Sequence, residues 1–103
     1  MYVDGARITV INEIVEWSRD GALMVKMSDE SGLDVQVQLE PAATSWPAEV
    51  LADRIARLHR LALMQLRAQA RVRSGEESGA QWSVTAGYPS VAEVQEYRQT
   101  IDF

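Results

Sequence analysis

The chain has 103 residues, one histidine, no cysteine and a formal net charge of −5. Its length predicts a single domain over residues 1–103, and its 47% hydrophobic and 24% charged residues are typical of a globular protein. Without cysteine there is no disulfide, thiolate nucleophile or cysteine-ligated zinc, and His59 alone cannot build a multi-histidine metal site. No apolar run approaches the ~20 residues of a membrane-spanning helix, and the first residues lack a signal-peptide pattern, so we expect a cytoplasmic protein.

Residues 1–41 are predicted to form antiparallel strands. The stretch "RITVIN" (7–12) alternates apolar and polar positions, as a strand does. Residues 13–18 fit either a helical turn or a strand, and their β-branched and aromatic side chains favour a strand that runs to about Ser18. The Asp-Gly pair at 20–21 then predicts a tight hairpin turn.

Two further strands follow this turn. Residues 22–29 place alternate apolar side chains on one face, and "ESG" (30–32) supplies a second turn. The strand over 33–41 is the clearest, and Pro41 ends it because proline cannot donate to a ladder. Its apolar residues share one face, which is predicted to be buried: Leu33, Val35, Val37 and Leu39.

A long helix is predicted over residues 45–73, with Trp46 and Pro47 at its entrance and Thr44 or Ser45 as its cap. One apolar stripe of this helix should lie on the sheet: Leu51, Ile55, Leu58, Ala62 and Leu66. Further apolar residues flank the stripe and exceed what one three-stranded sheet should cover: Leu61, Leu63 and Met64. They predict a dimer interface with a second copy of the chain.

The polar segment 74–89 is predicted to be a loop that ends the long helix, with no assigned structure for 80–89. Ser90 and Glu93 have the spacing of a capping box and open a shorter helix over 90–101. That helix should bury one apolar side: Val91, Val94, Tyr97 and Ile101. The predicted fold is α+β, with a three- or four-stranded antiparallel sheet packed by the long helix and a shorter C-terminal helix.

Arginines occupy one outward sector of the long helix: Arg57, Arg60, Arg67 and Arg71. Such a stripe is able to contact DNA phosphates or an acidic protein surface. It also fits a solvated face on which Asp53 pairs with Arg57. The net charge of −5 argues against a generally polybasic nucleic-acid binder.

No group of residues in the sequence predicts catalysis. The carboxylates do not converge into an acid–base pair, and no serine has the context of a hydrolase nucleophile. Gly75 and Gly79 lie in an acidic segment, which is unsuited to holding phosphate. We therefore expect no enzyme activity, no metal and no cofactor.

The segment from Ala22 to Arg73 resembles one half of the YbaB/EbfC fold, that of small dimeric nucleoid-associated proteins. The features that match are a strand, a turn with glycine, a strand ending in proline and a long helix, here "ALMVKMSDESGLDVQVQLEP" and "VLADRIARLHRLAL". The chain is more similar to a divergent branch, the type VII (ESX) secretion-associated proteins of the EspD/EspH kind. The matching segments are "ITVIN", "AATSWPAEVLADRI" and "GYPSVAEVQEYRQTIDF".

The resemblance implies a small, dimeric, non-catalytic interaction protein, an accessory or chaperone-like factor associated with type VII secretion. We expect it to contact its protein partner through Trp82, Tyr88 and Tyr97, which have no obvious place on a three-stranded sheet. The alternative implied by the wider family is a nucleoid-associated protein. It would bind double-stranded DNA through the arginines of the long helix.

Overall fold

The structure is a computed structural model that describes residues 13–28, 34–78 and 87–103, with the backbone alone for 74–78. The predicted α+β fold is confirmed, with a three-stranded antiparallel sheet, one long helix and one short C-terminal helix. The strands are β1 (Ile14–Trp17), β2 (Leu23–Met27) and β3 (Val35–Leu39). The helices are α1 (Ala48–Ser78) and α2 (Val91–Arg98), and a 3₁₀ helix at Pro41–Ser45 precedes α1. The strand predicted over 7–12 lies outside the described residues.

The predicted hairpin between β1 and β2 is confirmed in detail. Gly21 has a φ of 72°, a left-handed conformation that glycine adopts without steric cost. Asp20 Oδ1 accepts hydrogen bonds from Ser18 Oγ at 2.6 Å and from the backbone N–H of Ala22 at 3.0 Å. The Ser18 hydroxyl bond, followed by the Ala22 N–H bond, lowers the pKa of Asp20.

The strands form a simple meander in the order β1-β2-β3. Val25 lies opposite Val37, Leu23 lies opposite Leu39, and Met27 lies opposite Val35. Residues directly opposite each other share a face of the sheet. The apolar residues of β3 therefore lie on the same face as the fully buried residues of β2, as the alternation predicts.

The entrance to α1 differs from the prediction. The hydroxyls of Thr44 and Ser45 donate to the carbonyls of Pro41 and Ala42, at 2.6 and 2.9 Å, and so complete the 3₁₀ helix. Neither residue caps α1. The first carbonyl of the α-helical ladder is that of Pro47, which accepts from the Leu51 N–H at 3.0 Å. The five-residue 3₁₀ helix provides the sharp turn from β3 into α1.

α1 runs to Ser78, so the prediction that it ends at residue 73 and gives way to a loop at 74 is wrong. Glycine at position 75 costs a helix only about 1 kcal/mol relative to alanine, and the flanking residues are compatible with helix. The sheet-facing stripe is confirmed at its centre, where Leu58, Ala62 and Leu66 are at most 2% exposed. Leu51 and Ile55, near the helix start, are half-buried.

The capping box of α2 is confirmed. Ser90 Oγ accepts from the Glu93 N–H at 3.1 Å, and the Ser90 N–H donates to Glu93 Oε1 at 2.9 Å. The Ser90 N–H bond, followed by the Ser90 hydroxyl bond, lowers the pKa of Glu93. Val94 and Ile101 are buried as predicted, and Tyr97 is half-buried. Val91 is 55% exposed, so the prediction that it is buried is wrong.

Candidate functional site

α1 packs on β1 and β2 and leaves most of β3 uncovered on the same face. A helix with its side chains is about 10–12 Å wide, and strands lie about 4.8 Å apart, so one helix covers roughly two strands. Val37 and Leu39 are 44% and 41% exposed, while their partners Val25 and Leu23 are fully buried. The prediction that the apolar face of β3 is buried is therefore wrong for these two residues. We call Val35, Val37 and Leu39 the β3 shelf.

The backbone of the β3 shelf is also open along one edge. Hydrogen bonds join the Ser28 N–H to the Asp34 carbonyl and the Glu40 N–H to the Ala22 carbonyl, at 3.0 and 2.9 Å. In an antiparallel ladder, alternate residues direct their N–H and C=O groups to opposite sides. The even-numbered residues of β3 therefore bond to β2, while Val35, Val37 and Leu39 direct both groups outward. Within the described residues no strand pairs with this outer edge.

The opposite side of the sheet, at β1, is covered by residues 87–103, which include α2 and which we call the C-terminal segment. Glu16 of β1 is 6% exposed, yet its carboxylate accepts two hydrogen bonds from Arg98, at 2.5 and 3.1 Å. This two-pronged geometry suits a guanidinium and a carboxylate. The Arg19 N–H also donates to the Phe103 carbonyl. The end of α2 is thus fixed to β1, and Phe103 is fixed to the turn that follows β1.

The arginine stripe of α1 contacts the same C-terminal segment. Arg57 donates to the Thr100 carbonyl at 2.5 Å and forms ion pairs with Asp102 and Asp53, each at 3.5 Å. Its guanidinium also lies 4.9 Å from the centre of the Phe103 ring. The predicted pairing of Asp53 with Arg57 is confirmed.

Arg60, Arg67 and Arg71 complete this arrangement. Arg60 lies over the Tyr97 ring at 5.2 Å, and Arg67 lies over the Tyr88 ring at 5.7 Å. Arg71 donates to the Tyr88 carbonyl at 2.9 Å. Each cation–ring contact of this kind contributes on the order of 0.5–1 kcal/mol at an exposed site. The predicted basic contact surface is therefore engaged with the chain's own residues, although these three arginines remain exposed as residues.

The residues predicted to contact a protein partner are part of the same arrangement. Tyr88 and Tyr97 are half-buried under Arg67 and Arg60, while Trp82 lies outside the described residues. Neither strand alternation nor helical periodicity indicates that these tyrosines and arginines pair. The tyrosines meet the arginines because α2 runs back antiparallel along α1.

The residues predicted as the dimer interface separate into two environments. Leu61 is 1% exposed within the core, so the premise that it needs a second subunit to cover it is wrong. Leu63 and Met64 are half-buried and pack against the core. They line an open groove of about 380 Å³ between α1 and the start of α2, together with Arg60, Arg67 and Tyr88. The C-terminal segment covers much of the apolar surface of α1 that was predicted to need a second subunit.

Sequence reasoning missed three residues that position this side of the molecule. Glu16 sits in an apolar-alternating strand, and Arg98 lies 82 positions away, so no local pattern connects them. Arg54 lies between two rings, 4.3 Å from the Trp46 centre and 5.1 Å from the Phe103 centre. An acidic residue on the buried face of a strand is the one available sequence signal, because a buried carboxylate requires a partner.

The part of the chain that the structure describes contains no cluster of three or more histidine, cysteine or acidic residues placed to hold a metal ion. No described helix combines the length and apolarity needed to cross a bilayer. What the described surface offers is an exposed strand edge beside apolar side chains, together with a set of arginines stacked on aromatic rings. The first arrangement suits binding by strand addition, in which main-chain hydrogen bonds supply affinity and side-chain contacts supply specificity.

Comparison with known proteins finds no match among protein-family models, curated proteins or solved structures.

Proposed function

We propose that this chain is a non-catalytic interaction protein that works as a homodimer. The observation that carries the proposal is the β3 shelf, where Val37 and Leu39 are more than 40% exposed beside a strand edge that no strand of the described residues pairs with. Long, flat and apolar edge strands pair readily with another chain, and proteins usually protect them with charges, proline or a covering element. β3 carries none of these protections within its five residues, "VQVQL".

The partner class that we propose comes from the resemblance to type VII (ESX) secretion-associated proteins. In this proposal the dimer is a cytoplasmic accessory or chaperone-like factor that holds a secretion component. Its exposed apolar surface and mixed surface charge fit such a role, since transient partners bind through apolar patches with polar rims. Tyr88 lines the groove, Tyr97 lies under Arg60 next to it, and both are half-exposed, so they are candidate contacts for that partner.

Affinity capture from the native cytosol tests this function. A tagged wild-type chain should recover a type VII secretion component, and a variant with Leu39→Lys on the β3 shelf should recover less of it. Val72→Lys is the matched control, because Val72 is a similarly exposed apolar residue, at 46%, that lies on α1. Capture of no secretion component by the wild type would overturn the proposed role in secretion. Light scattering tests the assembly separately and should give twice the chain mass of 11.5 kDa.

The second candidate is binding of double-stranded DNA through Arg57, Arg60, Arg67 and Arg71. It is favoured by the exposure of the last three arginines, and it is opposed by their contacts with the C-terminal segment and by the net charge of −5. Phosphate binding weakens with salt at a slope of about −0.9 per contacted phosphate, so low salt is the permissive condition. We expect no gel shift at about 50 mM salt. A shift that is lost on Arg67→Glu with Arg71→Glu would establish this candidate instead.

A further inference from the structure

The outward hydrogen-bonding groups of β3 are arranged symmetrically about Val37. Val35, Val37 and Leu39 each direct an N–H and a C=O to the outer edge, which is not paired by any strand among residues 13–28, 34–78 and 87–103. Val37 is the central residue of the strand. In an antiparallel ladder, two residues bond only when both direct their groups toward each other. A second β3 that runs antiparallel beside the first meets this condition for all three residues only when Val37 lies opposite Val37.

The side chains of β3 have the same symmetry. "VQVQL" reads almost the same in both directions, with apolar residues at the ends and centre and glutamine between them. Reversing the strand about Val37 places Val35 opposite Leu39 and Gln36 opposite Gln38. Apolar side chains then meet apolar ones on the α1 face, and amides meet amides on the other face. No charge lies within the strand to oppose this pairing.

We propose that β3 pairs with β3 of a second copy of the chain about a two-fold axis at Val37, which joins the two sheets into one of six strands. This inference rests on the proposed homodimer and specifies its interface. Val37 exchanges both hydrogen bonds with the partner subunit's Val37, and Val35 does so with the partner subunit's Leu39. A two-fold perpendicular to the sheet keeps both α1 helices on one face, so the two β3 shelves become one continuous apolar surface between them.

A second copy of the chain fits this edge because the edge is complementary to itself. An isologous interface uses the same patch twice and must therefore be self-complementary. The β3 edge meets that requirement in its hydrogen-bond groups and in its side chains. The residues that flank β3 oppose this pairing, since Asp34 lies opposite the partner subunit's Glu40 and both are acidic. Charge repulsion at the ends also discourages registers that would extend pairing past β3.

Single-cysteine cross-linking tests the register, because the wild-type chain has no cysteine and any disulfide of a single-cysteine variant must join two chains. Paired residues of this type have Cα atoms about 5.5 Å apart, within the range that a disulfide spans. Under mild oxidation Val37→Cys should shift the chain from 11.5 kDa to twice that mass. Val15→Cys is the control, because Val15 is 41% exposed on the opposite edge strand.

The outcomes distinguish this inference from the proposed function. A dimer by light scattering, with Val37→Cys cross-linking no better than Val15→Cys, would overturn the β3 register and leave the homodimer on another surface. A monomer by light scattering would overturn both the register and the homodimer. The proposed role in secretion would then depend only on capture of a secretion component by the wild-type chain. A shelf-dependent capture by a monomer would identify an extended segment of another protein as the occupant.

A second variant guards against failure of the first to fold. Val37→Lys adds a charge at the centre of the edge, where 44% exposure leaves room for the longer side chain in the monomer. It should keep the circular dichroism spectrum of the wild type and lose the dimer. A folded Val37→Lys variant that remains dimeric would overturn the inference.

Discussion

β1 and β3 are the two edge strands of one small sheet, and they differ in what covers them. β1 lies under α1, Arg98 bonds to Glu16 of β1, and Phe103 bonds to Arg19 in the turn that follows. β3 shares its apolar face with the buried residues of β2, yet Val37 and Leu39 are more than 40% exposed. The same alternating pattern thus gives a covered face at β1, the closed side, and an exposed face at β3, the open side.

The difference shows that strand alternation specifies a face but does not determine what covers it. α1 is wide enough for about two strands, and it packs on β1 and β2. Arg57 bonds to Thr100 after α2 and Arg71 bonds to Tyr88 before it, so these arginines hold the C-terminal segment along α1. The C-terminal segment also contacts the β1 side of the sheet, and β3 stays exposed on the other side.

The largest expected effect comes from opening the closed side. Arg98→Ala leaves the Glu16 carboxylate, 6% exposed, without its two charged hydrogen bonds. We expect the free energy of unfolding in urea to fall by about 3 kcal/mol, the lower end for a broken buried pair because the Arg98 side chain is partly exposed. A loss below about 1 kcal/mol, the value of a surface pair, would show that β1 is not closed in this way.

A double variant is the control for this prediction. Replacing both Glu16 and Arg98 by leucine removes the ion pair without leaving a buried charge. Apolar substitution of a whole buried pair is often neutral or stabilising, so the double variant should be markedly more stable than Arg98→Ala. Equal stability of the two variants would assign the Arg98 effect to lost packing of its side chain.

A matched pair of substitutions compares the two strands directly. Val25 and Val37 lie opposite each other on the same face, and their exposed fractions are 0% and 44%. Val25→Ala should cost about 2 kcal/mol of unfolding free energy, because it leaves a cavity in the core. Val37→Ala should cost less than about 0.5 kcal/mol in dilute solution, as is usual at a surface position. Equal costs at low concentration would show that β3 is covered within one chain.

A smaller effect follows from the pKa of Asp20 in the turn that leads into β2. The Ser18 hydroxyl and the Ala22 N–H bond to the ionised carboxylate and lower its pKa in the folded state. A lowered folded pKa contributes stability above the unfolded pKa, near 4, and that stability is lost as pH falls through the folded value. Asp20→Asn should therefore lose less stability than the wild type between about pH 5 and pH 3. Parallel acid curves for the two chains would contradict the prediction.

The smallest change should strengthen the open side. Asp34→Lys places an ammonium opposite the partner subunit's Glu40 in the proposed pairing, at both ends of the interface. Opposite charges across strands contribute roughly 0.2–1 kcal/mol per pair, so the two symmetric pairs should lower the dimer dissociation constant by about two- to thirtyfold. Sedimentation at low and high salt measures this change, and salt should reduce the gain. A weaker dimer at low salt would place Asp34 in another register.

Local patterns predicted the elements well. The alternation of β3, the Asp-Gly turn before β2 and the capping box of α2 are each contained within a few residues and are confirmed. The ends of α1 were predicted less well, because serine and threonine side chains also bond to the turn that precedes them. At the C-terminal end, polar composition alone indicated a loop, although helix continues there.

The candidate site could not be predicted because it depends on contacts between distant residues. The pairing of Glu16 with Arg98 and the stacking of Arg60 on Tyr97 join parts of the chain that no period relates. The arginines of α1 stood out in the sequence as an outward stripe, and their intramolecular role appears only when α2 folds back along them. Likewise, alternation predicted which face of β3 is apolar. It did not predict that α1 packs on β1 and β2 and leaves that face of β3 exposed.

Amide hydrogen exchange, measured residue by residue by NMR, tests the central difference between the two edges most directly. The outward N–H groups of Val35, Val37 and Leu39 should exchange slowly at high protein concentration and quickly on dilution or in the Val37→Lys variant. In β1, the Ser18 N–H bonds to the Leu23 carbonyl, so the alternation of the ladder directs the Val15 and Trp17 N–H groups away from β2. These two N–H groups are the reference, because their exchange rates should not change with protein concentration. Exchange of the β3 amides at one rate across all concentrations would contradict pairing of the open edge with a second copy.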